Sequence, residues 1–366
     1  MIPHLLHPAG TVDAAAAGRL LASMTEDRTY TLDFEDVDGI HFAALRKLMN
    51  ARRAGCRFCI INACDAVVDR FVDSGVGTLI DVCRKPKPLD LSRYEEFGAS
   101  YMSKAYNCDD GDSMMKLYGP GVPRETVFRE KTVARAVMLF GLPTPLVGSV
   151  SEDGGRTALD FERIHGKRSF SRIISEEPGK LEAIARRFAR MSRQLHETPC
   201  DTAVFENSVL AHRQAVINCR ELTDADKEAF LSFADSIPAA TTCLHGDLHI
   251  GNIITDGQRD LWIDVGDFAY GVPEWDLGMM YFASNFMSEE RCDNIFHLNN
   301  ATLRAHWNAF ARVYYDTDSK EALEAEVRKM HPFIATKILF ASTKVSGVKG
   351  PVTEGLLQII DKFLPK

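Results

Sequence analysis

The sequence predicts two architectures in succession: an α/β domain over residues 1–86, then an α+β fold with an antiparallel sheet over 91–165 and a mainly helical part over 166–366. Three observations carry this. Helical and strand-like apolar spacings alternate through the first segment, short strands divided by Asp-Gly turns fill the second, and apolar residues three or four apart dominate the third. Between the first two, Lys85-Pro86-Lys87-Pro88 is a proline-rich polar step that reads as a boundary.

With 366 residues and 45% apolar content, the chain can bury more than one core. A formal charge of −8 argues against a nucleic-acid surface, which would need clustered Lys and Arg. The start, Met1-Ile2-Pro3-His4, lacks the basic region of a signal peptide, and no apolar run is long enough to span a membrane, so a cytoplasmic setting is expected. Nine scattered cysteines suit a reducing compartment. Cys56 and Cys59 form a CxxC, but they sit in the apolar run Cys56-Arg57-Phe58-Cys59-Ile60-Ile61 without a second ligand pair downstream, so they read as buried strand residues.

In the first segment, Thr11 and Asp13 precede an alanine-rich helix over Ala14–Met24, and Tyr30–Phe34 is strand-like. Phe42, Leu45, Leu48 and Met49 set a helix over Phe42–Arg53 that Gly55 stops. A strand at Cys56–Asn62, a helix at Ala66–Ser74 and a strand at Thr78–Val82 follow. This order, with Gly10-Thr11-Val12-Asp13 before a helix and Leu32-Asp33-Phe34 as a central strand, resembles the STAS (anti-sigma-factor-antagonist) domain. The resemblance implies a docking or regulatory module with a protein partner; a structural appendage explains the segment equally well. Where that family carries a phosphorylatable Asp-Ser-Ser-Gly, this chain has Asp38-Gly39-Ile40-His41, so that switch is not expected.

In the second segment, Glu96–Tyr106 reads as two strands joined by a small-residue turn containing Ser100. Its backbone N–H groups could approach a phosphate, and a plain hairpin accounts for the same residues. Asp110-Gly111 turns the chain into the strand Ser113–Tyr118, where Lys116 alternates with Met115 and Leu117. An inward-facing Lys116 needs an anion; an outward-facing one needs nothing. Glu130 opens a predicted helix over Arg129–Phe140 and is within reach of Lys116, or is simply a solvated first-turn glutamate. Strands at 145–150 and 157–164 complete an expected five-stranded antiparallel sheet. Beyond it, Leu181, Ile184, Phe188, Met191 and Leu195 mark a long amphipathic helix, and Leu303, Trp307, Phe310 and Tyr314 another.

The chemistry concentrates in Leu244–Ile254, which places two histidines, a carboxylate, an amide and two glycines between apolar residues. Asn252 follows Asp247 on this loop, and a hairpin through Thr255-Asp256-Gly257 returns Asp264 to the neighbourhood of Asn252. Such oxygen ligands suit Mg²⁺, while Asp247 stays free to accept a proton from a hydroxyl. A zinc site from His245 and His249 is not expected, since Gly246 and Gly251 make this a loop.

His245-Gly246-Asp247-Leu248-His249-Ile250-Gly251-Asn252 resembles the HGDxHxGN loop of the aminoglycoside phosphotransferase and choline kinase family, whose fold is protein-kinase-like. Ile263-Asp264 resembles its metal-binding motif and Asp276-Leu277 its following segment, over about residues 92–290. The resemblance implies ATP and Mg²⁺ as cofactors and a small-molecule hydroxyl as acceptor, on an amino-sugar, amino-alcohol or related metabolite. By it, Asp247 is the base, Asn252 and Asp264 hold Mg²⁺, and Asp267 is a candidate second metal contact. Lys116 meets the α/β-phosphates with Glu130 as its helix partner, Ser100 belongs to the nucleotide site, and Phe161-Glu162-Arg163-Ile164 is the hinge beside adenine. His245, His249 and Asp276 brace the loop or touch substrate, and Glu289 or Glu290 are carboxylates for a cationic acceptor. The rival readings are a non-catalytic nucleotide-binding signalling protein and a protein kinase.

Overall fold

The computed structural model describes residues 4–25, 28–99, 102–219, 222–345 and 362. They fall into two compact units, 1–139 with 146–163 and 140–145 with 164–366.

In the first unit, four parallel strands lie in the order His4–Leu6, Thr29–Asp33, Arg57–Ala63, Val82–Arg84. The alternation of Arg57–Ala63 decides which side chain meets which layer. Phe58 and Ile60 join Leu32, Ala44, Leu45, Leu48, Val67 and Phe71 in a core with the helices Phe42–Arg53 and Asp65–Asp73. Cys59 and Ile61 face the other way, packing with Cys83 against Val127, Phe128, Val150 and Leu159. Burial on both faces is why its stretch Phe58–Ile61 is apolar without a break. It also pushes the Cys59 thiol up to about 11, in keeping with a packed cysteine rather than a metal ligand.

Several expectations for this segment are corrected. The first helix ends at Ala22, and the last strand is Val82–Arg84 rather than the expected Thr78–Val82, with a 3₁₀ turn at Val76–Thr78 before it. Asp38 and Gly39 lie in a strand, Asp36–Ile40, paired in parallel with Ala9–Val12. These strands are too short for an apolar period to mark them.

The second sheet holds six strands among the described residues rather than five: Lys87–Pro88, Val147–Asp153, Arg156–Glu162, Ser113–Tyr118, Ser103–Cys108 and Tyr94–Ala99, in that order. All neighbours are antiparallel except Lys87–Pro88, which runs parallel to Val147–Asp153. The helix of this part is Arg124–Leu139, starting before the expected Arg129, directly after Pro123. Glu130 therefore lies in its second turn, not its first.

In the second unit the helix Leu181–Glu197 buries Ile184, Phe188 and Leu195 as its spacing requires. Phe188 packs on His306 and Phe310 of the helix Asn300–Tyr314. Arg193 caps that helix by donating to the Tyr314 carbonyl, a cation at the negative end of the helix dipole. The helices Ser208–Asn218 and Asp224–Ser236 were not legible as apolar stripes. The second nevertheless announces itself by a capping box between Thr223 and Asp226. Among the described residues, no helix is long and apolar enough to cross a membrane.

Candidate active site

In the first unit, Lys116 stands in the strand between buried Met115 and Leu117, so its own side chain points to the opposite face. There its Nζ lies 3.0 Å from Glu130 Oε1, with the two side chains 23% and 16% exposed. Half-buried on both sides, this pair is neither a surface lysine nor a solvated first-turn glutamate. Phe161 pairs with Met114 and Val147 in the sheet. The N–H groups of Glu162 and Arg163 already donate to the carbonyls of Leu146 and Asp112. A base meeting this stretch must use its other groups. Ser100 lies outside the described residues.

In the second unit, the strand Thr242–Leu244 pairs with Ala269–Gly271 and releases the chain into the loop at His245. Gly246 has φ +83°, and a Cβ there would lie 2.0 Å from the Asp267 carbonyl oxygen, so only glycine lets these two segments meet. Asp276, 1% exposed, holds the turn from beneath. Its Oδ2 accepts from the His245 N–H at 2.7 Å and its Oδ1 from the Gly246 N–H at 2.9 Å. His196 Nε2 meets the same Oδ2 at 3.1 Å, and its Nδ1 meets the Tyr314 hydroxyl at 2.7 Å. Burial alone would raise the Asp276 carboxyl, but the hydrogen bond from His196, with His245 and Lys337 near, holds it below the ordinary carboxylate value. Lys337, on the helix Lys320–Val345, donates its ammonium to the Gly246 carbonyl.

The side chain of Asp247 emerges from this frame 43% exposed, with His249 Nε2 3.8 Å from its Oδ2. Asn252 Nδ2 donates to the Asp247 main-chain carbonyl at 2.9 Å. That uses the amide's donor end and keeps its oxygen, the atom a cation binds, for another partner. The hairpin Ile253–Thr255 with Asp260–Trp262 forms, and Ile263 N–H donates to the Asn252 carbonyl, so Asp264 follows one residue beyond. Exposed Asp264 adopts φ +55°, a left-handed backbone that a short polar side chain tolerates. His245 is 1% exposed and bonded through Nε2 to the Ile263 carbonyl, and its Nδ1 accepts the Asp247 N–H. His249 accepts the Gly251 N–H and packs edge-on against Phe296. Glu289 and Glu290 are both exposed, and Glu289 accepts the Asn300 N–H. Among the described residues no three His, Cys, Asp or Glu side chains gather into a metal cage. An amide oxygen and a carboxylate still fit Mg²⁺, which keeps most of its waters.

Sequence reasoning missed two members of this site. His196 and Lys337 belong to no motif: Lys337 reaches the loop itself from a distant helix, and His196 reaches the Asp276 carboxylate that holds it.

Burial pushes the imidazoles of His212, His245 and His306 below their ordinary value of 6.5, to about 3 for His212 and His306. The folded protein keeps these rings neutral while the unfolded chain takes up protons below pH 6.5. Their contribution to stability is thus full above the unfolded value and is lost as pH falls through this window. We expect unfolding free energy to drop by roughly 2 kcal/mol per ring, for His212 and His306, between neutrality and about pH 5. Urea titrations at the two pH values measure it; equal midpoints would contradict it.

Comparisons with known proteins bear on the family and the fold. A model of the family described as "Phosphotransferase enzyme family" matches residues 97–314. Comparison with curated proteins yields no significant match. Among solved structures, a thermostable mutant of aminoglycoside phosphotransferase APH(4)-Ia in its apo form is similar with a TM-score of 0.51 and 14% identity, over 74% of this chain and 92% of that one. A choline/ethanolamine kinase family protein from Mesorhizobium loti gives a TM-score of 0.45 and 17% identity, over 74% and 84% of the two chains. The first likeness supports the expected kinase-like fold, a sheet-rich N-lobe followed by a helical C-lobe. The match covers more than half of the sequence, including the whole Leu244–Ile254 loop, and the chain belongs to the phosphotransferase enzyme family.

Proposed function

We propose that this phosphotransferase moves the γ-phosphoryl group of ATP to a hydroxyl of a small molecule, with Asp247 as the general base. The observation that carries the reading is the half-exposed Asp247 carboxylate on a loop whose main chain is tied down by Asp276, Lys337 and Asn252. A proton acceptor held this way is pre-organised, and positioning is most of what phosphoryl transfer asks of a protein. Asp247 takes the proton of the acceptor hydroxyl as its oxygen bonds to the γ-phosphorus and the bond to the ADP oxygen breaks. Lys116, oriented by Glu130, contacts the α- and β-phosphates. Asn252 and Asp264 hold Mg²⁺, with Asp267 as a further candidate, and the bound ion supplies neutralisation of phosphate charge. Phe161 and Arg163 flank the adenine, and Ser100 belongs to the phosphate turn. His245 and His249 keep the loop in shape.

The chain is read as three parts, 1–86, 91–165 and 166–366, the first STAS-like with a protein partner. The acceptor class is an amino-sugar, amino-alcohol or related metabolite, for which exposed Glu290 offers a negative charge. The test is transfer of labelled γ-phosphate across a panel of hydroxylated amines and sugars, with and without EDTA. Transfer to at least one acceptor, abolished by the chelator and restored by Mg²⁺, is expected. ATP binding with no transfer to any acceptor or to water, or transfer that survives chelation, would contradict the proposal.

A further inference from the structure

The helix Arg124–Leu139 carries Glu130, and the N-terminal parallel sheet is fastened to it at three places. At its first residue, Arg124 Nη2 donates to Asn62 Oδ1 at 2.8 Å. Asn62 is 1% exposed, and its Nδ2 donates in turn to Asp33 Oδ1 at 2.7 Å. The same Arg124 lies 3.5 Å from Glu35 and 3.1 Å from Glu152. At mid-helix, fully buried Val127 and Phe128 pack with Cys59, Ile61 and Cys83 of the sheet. Towards the other end, Arg135 Nη1 donates to Asp81 Oδ1 at 2.5 Å.

Positions 124, 127, 128 and 135 share one face of the helix, and Glu130 projects about 120° away from it. Fixing that face therefore fixes the rotation of Glu130 about the helix axis. Two further details mark the attachment as built. Asn62 holds φ +57°, a conformation few side chains accept, and it does so where its amide bridges Asp33 and Arg124. Asp81 is a carboxylate with only 14% of its side chain exposed, and its ion partner is Arg135.

We propose that the N-terminal domain is a brace for nucleotide binding, with Asn62 and Asp81 as positioning residues that hold Glu130 against Lys116. This rests on the reading of Lys116 as the nucleotide-phosphate lysine. Neither residue touches substrate. Each acts through the helix, so loosening the attachment lets Glu130 withdraw from Lys116. The effect falls on ATP and spares the acceptor.

The experiment uses the full chain with the double substitution Asn62→Gly and Asp81→Ala. Glycine accepts the left-handed backbone at 62, so contact is lost without added strain. Asp81→Glu, with Asn62 kept, is the conservative control, since it keeps a carboxylate for Arg135 and leaves the bond from Asn62 to Asp33 intact. Three readouts are taken: KM for MgATP and for the acceptor, affinity for a fluorescent ATP analogue, and hydrogen exchange of residues 124–139. The expected result is an ATP KM and analogue Kd raised about tenfold, an ordinary size for coupling between sites. The acceptor KM stays unchanged, exchange rises in 124–139, and Asp81→Glu behaves as wild type. If the double variant does not fold, Asp81→Ala alone is read in the same way. An analogue Kd within twofold of wild type overturns the brace, as does unchanged exchange in the helix. Wild-type protein that binds the analogue but transfers no phosphate overturns the proposed reaction instead, and the Kd and exchange data still decide the brace.

Discussion

Replacing Asp247 with Asn is expected to lower kcat about 10³-fold while leaving the protein folded, within the range that a positioned general base contributes. The substitution conserves shape and removes only the proton acceptor. The bond from Asn252 runs to the main-chain carbonyl of residue 247, so the loop keeps that tie. KM for ATP should change little, because the lost interaction forms as the hydroxyl loses its proton. Steady-state kinetics of the variant, with thermal melting as the folding control, measure this. Turnover within threefold of wild type would remove Asp247 from the reaction.

Asp276→Asn is expected to do more damage than its conservative look suggests. The carboxylate accepts three hydrogen bonds in a fully buried place, two from loop N–H groups and one from His196. An amide has one accepting oxygen and an NH₂ that must point at a donor, so at least one loop N–H loses its partner. The negative charge near Lys337 disappears as well. Breaking such a buried network costs about 3 kcal/mol of stability, and the loss of loop geometry adds a fall in kcat. Urea unfolding of the variant measures the first and initial rates the second. A stability change under about 1 kcal/mol, small on the scale of buried polar substitutions, would show that Lys337 and Asn252 suffice to hold the turn.

How much of this was legible follows from how far each feature reaches along the chain. The loop His245–Asn252 was legible because its chemistry is local: a glycine where backbone meets backbone, a carboxylate and an amide at fixed spacing. Ser113–Tyr118 and Phe42–Arg53 were found at their observed bounds because one strand period or one helical stripe governs each. The true start of the Glu130 helix was missed although Pro123 stands just before it, because apolar spacing was followed and the helix-start signal was not. Lys337 could not be found, since its partner Gly246 is 91 residues away and no local pattern encodes such a meeting. His196 lies 80 residues from Asp276 and is hidden in the same way. The sixth strand was hidden by its own composition, since Lys87-Pro88 looks like a linker.

That strand has a consequence for the protein in solution. An open sheet ends in unpaired N–H and C=O groups that invite a strand from another molecule. Lys87 and Pro88 pair with Ser151 and Glu152, and the N–H of Leu89 donates to the Glu152 carbonyl at 2.8 Å. The covering strand then offers newcomers a proline with no N–H to give and a lysine whose charge repels a second copy. The segment that follows the N-terminal parallel sheet thus also guards this edge of the second sheet against aggregation.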